Sequence, residues 1–241
     1  MIKLFFGNHN LCNSFSVLVN SFDAKDLATH TRSTVPLLCY WSNYAAGIKF
    51  YFNNLGLKQS QDINLHFEYQ VPSIQSAKSS FTDLFICTID TSIAIEAKYT
   101  EPRYKPCKVW ISRGEKPSYR ELVLQHWLDL ISEVTGNRYS PSMVADIPYQ
   151  MIHRTASACC MPDKKNIMVV YQLFAQQSGA KKFYGADLAR LKQILGNSPF
   201  IRFCIHEVKS SPRNLQPFVS VKSAILQSGP YSFGAESFSI L

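Results

Sequence analysis

Residues 79–101 constrain this chain more than any other stretch, because two short apolar runs, Leu84–Ile89 and Ser92–Ala97, flank a turn-like Asp90-Thr91. β-Branched and aromatic residues fill both runs, which predicts a β-hairpin. Three charges interrupt it: Asp83 where the first strand begins, then Glu96 and Lys98 near the end of the second. Side chains alternate faces along a strand, so Glu96 and Lys98 share a face and Ala97 points away. With the turn at Asp90-Thr91, Asp83 comes opposite Lys98, and all three charges meet at one corner.

Two carboxylates and an ammonium in one corner suit a hard divalent cation, which takes oxygen ligands from one or two carboxylates plus water and substrate phosphate. Such an ion activates water and offsets charge on a phosphoryl oxygen. The lysine supplies fixed positive charge for the attacking water or the transition state. The plain alternative is a Glu–Lys pair on a wet sheet face, with Asp83 merely starting a strand.

Asp83, a hairpin, then Glu96-Ala97-Lys98 resembles the PD-(D/E)xK signature of the restriction-endonuclease-like nucleases. The longer text, Ser79 through Asp83 and Ile95 through Glu101, is similar to bacterial members of that group. The resemblance implies an α/β fold, with a central mixed sheet flanked by helices in the order αβββαβ, over residues 36–205. It implies Mg²⁺, with Mn²⁺ as a substitute, and hydrolysis of phosphodiester bonds. Asp83, Glu96 and the carbonyl of Ala97 would hold the metal, and Lys98 would position the attacking water. DNA is the expected substrate, restriction or defence the expected setting, and a homodimer one possible assembly. Two departures stand out. Thr82 replaces the proline before Asp83, and no acid lies between Asp26 and Asp62 to serve as the helix acid many members carry. Glu68 is the candidate replacement and a further metal ligand. The resemblance also implies a supporting acid at Glu101, a polar residue on the following helix, assigned to Gln125, and a His153-Arg154 pair that binds phosphate or buttresses a carboxylate.

The rest of the chain fits this frame. A length of 241 residues suits one domain with appendages. Lys plus Arg is 25 and Asp plus Glu is 17, a balance of +8 that favours polyanionic partners such as nucleic acid. No apolar run approaches the ~18 residues of a membrane span, and no signal peptide is expected from the broken apolar start. Seven cysteines without a C-x-x-C pair are best explained as reduced thiols in a cytoplasm. Residues 1–34 read as an N-terminal extension, with a strand possible at Phe15–Phe22, a helical turn at 26–29, and His9 and His30 on the surface. The nuclease-like domain spans 35–206, and 207–241 reads as a C-terminal extension packing on it.

Within that domain, helical spacing predicts a helix from Pro36 to Leu55, with Thr34 as cap and Gly56 as stop. Ile63–Val71 alternates as a strand with Glu68, His66 and Gln70 on its polar face. Lys78, Ser79 and Ser80 sit in a polar loop where they can donate to phosphate. Residues 102–118 interleave cations and aromatics, which suits either a nucleic-acid groove or any exposed basic loop. Helices follow at 117–135 and 148–159, a buried strand at 167–174, a helix at 186–195 and a strand at 200–205. On the 148–159 helix Gln150, His153 or Arg154, and Ser157 share a stripe. Alternation at Phe218–Val221 suggests an edge strand. Cys159 or Cys160 beside His153, and Cys204 beside His206, are the available thiol nucleophiles, without an orienting third partner. The competing class is a non-cleaving module that grips nucleic acid or a protein on a nuclease-like scaffold.

Overall fold

Alternation along the strands sorts the apolar side chains onto two faces of one sheet, and helices cover both. The computed structural model describes residues 1–27, 32–58, 62–74, 80–175, 179–213, 220–227 and 229–241. Among them the strands are β1 (Ile2–Phe6), β2 (Asn10–Cys12), β3 (Ile63–Val71), β4 (Ser80–Cys87), β5 (Thr91–Lys98), β6 (Asn166–Ala175), β7 (Ile201–Pro212) and β8 (Tyr231–Ile240). They form a single mixed sheet in the order β2-β1-β3-β4-β5-β6-β7-β8. The β3-β4-β5 meander is antiparallel, and β5, β6 and β7 run parallel. The fold is therefore α/β.

On one face Leu65, Phe67, Ile93, Ile95, Met168 and Val170 pack under α1 (Phe15–Ser21), α3 (Thr34–Trp41), α4 (Tyr44–Leu55) and α9 (Val221–Gln227). On the other, Phe85, Ala94, Val169, Tyr171 and Phe203 pack under α5 (Cys107–Ser112), α6 (Pro117–Thr135), α7 (Tyr149–Cys159) and α8 (Ala180–Ile194). The short α2 (Ala24–Leu27) precedes α3. Each large apolar side chain buried this way contributes about 1.5–3 kcal/mol. β5 lies near the middle of the sheet and is buried along its whole length. Its Glu96 and Lys98 therefore need partners inside the protein.

Several elements differ from the sequence-based expectation, each for a local reason. The hairpin loop is Ile89-Asp90, because Thr88 N–H donates to Thr91 O at 2.9 Å and the Asp90 carboxylate accepts from both flanking threonine hydroxyls. That moves the register by two: Leu84 pairs with Ile95, so Asp83 lies level with Glu96 rather than Lys98. Phe15–Ser21 is a helix, not a strand, started by the Ser14 hydroxyl accepting from Val17 N–H. The helix expected over 36–55 is two, broken at Ser42-Asn43, where the Asn43 side chain caps α4. Gly56 and Gly136 end α4 and α6 in the left-handed conformation, as expected. The segment 102–118 contains α5, and α8 begins six residues earlier than its apolar stripe.

Both ends of the chain join the sheet. β1 pairs in parallel with β3, and β8 pairs antiparallel with β7, so the last ten or so residues form the far edge. The edge strand expected at 218–221 lies partly outside the described residues, and Val221 opens α9. His30 and residues 28–29 of the expected helical turn also lie outside them.

Trp41 sits fully buried and donates from its indole N–H to Gln172 Oε1 at 3.0 Å. Its ring lies flat against α4 at Gly47, where a Cβ would meet ring carbons at 2.9 Å. In a helix interior Gly→Ala ordinarily stabilises by up to ~1 kcal/mol. Here overpacking reverses the sign, and Gly47→Ala is expected to lower the unfolding free energy by about 1–3 kcal/mol. Urea denaturation reads this as a lower midpoint at unchanged slope; a raised midpoint would show that the ring has room to move.

Candidate active site

The β4–β5 ladder runs from Cys87↔Ser92 to Leu84↔Ile95 and stops there. β5 continues beside β6 to Lys98, so β4 and β5 part beyond Leu84. Into the fork reaches Asp83, whose Oδ2 accepts from Ala97 N–H at 2.7 Å. Asp83, Glu96 and Lys98 all occupy the sheet face that α7 covers, by the alternation that sends Leu84, Ile95 and Ala97 to the opposite core.

Glu96 is 2% exposed and its carboxylate is saturated. Oε1 accepts from Lys98 Nζ at 2.7 Å and from Gln150 Nε2 at 2.6 Å. Oε2 accepts from Arg154 Nε at 2.6 Å and also faces its Nη2. Gln150 and Arg154 are one helical turn apart on α7, which is why both reach the same carboxylate. Burial alone would raise the Glu96 carboxyl, but the Arg154 guanidinium and the Lys98 ammonium more than offset it and hold it at about 2. Arg154 is 1% exposed; its Nη2 also donates to Phe81 O at 2.7 Å, while its buried Nη1 has no partner among the described residues. The buried hydroxyls of Tyr171, level with Glu96 on β6, and Tyr184 likewise have no partner among the described residues.

Glu68 enters from β3. It has φ 56°, a left-handed conformation that non-glycine residues rarely adopt. The β3–β4 ladder pairs Phe67 with Leu84 and Tyr69 with Thr82 but skips Glu68 and Asp83 between them. The kink exchanges the faces of β3: Leu65 and Phe67 join one core, Tyr69 and Val71 the other, where Tyr69 stacks on Phe85 at 4.4 Å. The β1–β2 turn brackets the kink. Gly7 N–H donates to Phe67 O at 2.7 Å, and the Asn8 amide accepts from Gln70 N–H at 2.7 Å and donates to Gln70 O at 2.8 Å.

Glu68 and Asp83 together line a cleft of about 900 Å³. Among the described residues no donor reaches the Glu68 carboxyl or Asp83 Oδ1. Burial, then the neighbouring Asp83 charge, pushes Glu68 up to about 8; burial, then Glu96, pushes Asp83 up to about 7. Two oxygen acceptors that lack donors and resist ionisation fit a divalent cation. Among the described residues no three acidic, histidine or cysteine side chains form a ready-made cage. Mg²⁺ sites that complete their shell from water and substrate phosphate need none.

The other candidates fall in different places. Ser80 Oγ lies 2.7 Å from His153 Nδ1, and His153 is kept neutral, at about 3, by burial and then by Arg154. This pair ties the start of β4 to α7. Ser79 and Lys78 lie outside the described residues. Glu101 is a strap: its two oxygens accept from Ser33 N–H at 2.6 Å and Tyr99 N–H at 2.8 Å. Gln125 faces away from the corner and bonds Asp129 and Tyr139 O instead, so the polar helix residue at the site is Gln150. The signal for Gln150 was its spacing of four from Arg154. His66 stacks on Phe5 and hydrogen-bonds Gly7 O, away from the corner.

Part of the basic loop is engaged in local contacts. Arg103 pairs with Asp187, Lys108 with Asp146, and Trp110 stacks at 3.6 Å on Tyr149 with Arg120 over its other face. Burial pushes the Cys160 thiol up to about 11 and Cys204 up to about 12, and it raises Cys159 further, so none of these three is a thiolate at neutral pH. His206 is engaged by Tyr51 OH and Glu236, each at 2.9 Å.

A family model described as a domain of unknown function (DUF6946) matches residues 17–216. No curated protein and no solved structure matches the chain.

Two measurements check this geometry. Removing Arg154 leaves a buried carboxylate short of its main counter-charge, so Arg154→Met is expected to cost about 3–5 kcal/mol. Adding Glu96→Gln should recover part of that in a double-mutant cycle; strict additivity would disprove the coupling. The second concerns pH. Glu68 and Asp83 bind protons more tightly folded than unfolded, so their contribution is present at low pH and is lost as pH rises through about 7 and 8. Below 6.5 the buried neutral His153 and His206 oppose it, because both are lowered from that value. With metal chelated, the melting temperature should therefore decline from about pH 6.5 to 8, and Glu68→Gln should flatten the decline. A wild-type profile that rises over this range would contradict the assignment.

Proposed function

We propose that this chain, which belongs to the DUF6946 family, is a divalent-metal-dependent nuclease with a restriction-endonuclease-like core. The observation that carries this reading is the fork itself: Asp83 crosses to the Ala97 N–H while Glu96 and Lys98 share its face, 2.7 Å apart. The element order α4-β3-β4-β5-α5-α6-α7-β6, with α5 to α7 in the place of one helix, is compatible with the αβββαβ arrangement of such a core.

Asp83 and Glu68 are the residues whose open oxygens would hold Mg²⁺ or Mn²⁺. Glu96 and the Ala97 carbonyl would complete the protein's share, Glu96 by exchanging one of its four donors. A divalent ion supplies charge that makes water a better nucleophile and offsets charge on the phosphoryl oxygens. The chain's own groups do the remainder. Lys98 holds the attacking water by its ammonium for in-line displacement at a phosphodiester, and then faces the charge that develops there. Arg154 and Gln150 keep Glu96 ionised and fixed. Thr82, in place of proline, is buried in β4 and pairs with Tyr69 of β3. DNA is the first substrate to test.

The saturation of Glu96 favours a second reading, in which the ion pairs are structural and the chain grips nucleic acid or a protein without cutting. One experiment separates the two. Plasmid, single-stranded DNA and RNA are incubated with Mg²⁺, Mn²⁺ or EDTA. Metal-dependent cleavage is expected, and Lys98→Ala or Asp83→Ala should lower its rate by roughly 10²–10³ while circular dichroism shows the fold retained. Cleavage that persists in both variants sinks the site assignment. Binding without cleavage under every metal supports the second reading.

A further inference from the structure

We infer that the cleft over Glu68 and Asp83 receives one nucleotide unit of a single-stranded nucleic acid, so that the substrate is an unpaired strand rather than an intact duplex. This rests on the nuclease reading of the same site. A volume near 900 Å³ falls within the roughly 300–1,000 Å³ of pockets that enclose one small molecule. A paired helix keeps its bases stacked inside, so it cannot seat a whole nucleotide, base included, in such a cleft without extruding it.

The walls are built rather than incidental. One is the β1–β2 turn, fixed to β3 on both sides of Glu68 by the Gly7 and Asn8 hydrogen bonds. The opposite wall carries Asp26 and the start of α3 at Thr34. The lining mixes acids and bases, with Lys25 paired to Asp23, and the Asp26 carboxylate can accept hydrogen bonds from the amino groups of a base. Phe81 also lines the cleft and is 47% exposed, two residues before Asp83. A large aromatic ring left in water beside the acids is a platform on which one base can stack. Arg32 is exposed along the lining, where the flanking phosphate would run.

The test uses the full chain with labelled single-stranded DNA, single-stranded RNA and a blunt duplex of the same sequence. Fluorescence anisotropy in Ca²⁺ measures binding, and gel assays in Mg²⁺ measure cleavage. Single strands are expected to bind and be cut at least tenfold better than duplex, and the DNA and RNA arms show which sugar is preferred. Phe81→Ala should weaken single-strand binding about tenfold, the loss of one base stack, and leave duplex binding unchanged. Thr34→Trp, which fills the cleft from its wall, should abolish single-strand binding; Phe81→Ala keeps the test alive if the tryptophan variant does not fold. Equal cleavage of duplex and single strand overturns the inference while leaving the nuclease reading in place. Phe81-dependent binding of single strands without cleavage supports the cleft's ligand and sinks the nuclease. Binding of no nucleic acid overturns both.

Discussion

A carboxylate cannot be buried in a sheet without compensation, and the compensation of Glu96 dictates how this corner is assembled. Its four acceptor positions are met by Lys98, Gln150 and two nitrogens of Arg154. Desolvating an ion costs several kcal/mol, so an ion pair at this depth is retained only when its geometry is nearly complete. The requirement fixes α7 against β5 in rotation as well as distance, because only one helical face carries both Gln150 and Arg154. It also pulls β4 into place, since Arg154 spends its remaining Nη2 contact on the Phe81 carbonyl two residues before Asp83. One ion pair thus positions a helix, a strand end and the fork between β4 and β5.

Strain at Glu68 answers a different constraint. A straight β3 would carry Tyr69 and Val71 on the same face as Leu65 and Phe67. The left-handed step at Glu68 moves them to the other core and turns its own carboxylate to the end of the sheet. Such a step costs about 1–3 kcal/mol and persists only where the surroundings over-determine it. The Gly7-Asn8 turn does so, gripping the backbone at Phe67 and Gln70. The first twelve residues, which look like an appendage in the sequence, are therefore what holds an acid over the cleft.

The parts of this architecture visible in the sequence are those with a local cause. Ile63–Val71 alternates with period two and is a strand; Gly56 and Gly136 follow apolar helical stripes and are left-handed caps. Asp83, Glu96 and Lys98 announce themselves as charges in apolar strands; Asp83 reaches the Ala97 N–H, between the paired Glu96 and Lys98. What the sequence hides depends on non-local pairing. The hairpin register turns on which threonines the Asp90 carboxylate captures, and a shift of two leaves the face pattern unchanged, so hydrophobic alternation cannot detect it. Gln125 and Gln150 are equally polar helix residues; only the rotation of each helix decides which one meets Glu96. The role of residues 1–12 was invisible because parallel pairing with β3 spans some sixty residues of chain.

One corner holds an acid at about 2 beside two others near 7 and 8, and the split has a simple origin. Both cations that could serve all three carboxylates are committed to Glu96 by direct hydrogen bonds. Asp83 has a single backbone N–H, and Glu68 has no donor among the described residues. Pairs of acids driven apart in this way are a mark of sites where charge is handled rather than merely tolerated. The internal cations bond Glu96 directly and act on Asp83 and Glu68 only at longer range, so those two hold on to protons instead. A protein built merely to bury an ion pair would gain from placing Arg154 between all three acids. Here the guanidinium bonds the acid deepest in the sheet and leaves the two that line the cleft without a direct cation contact.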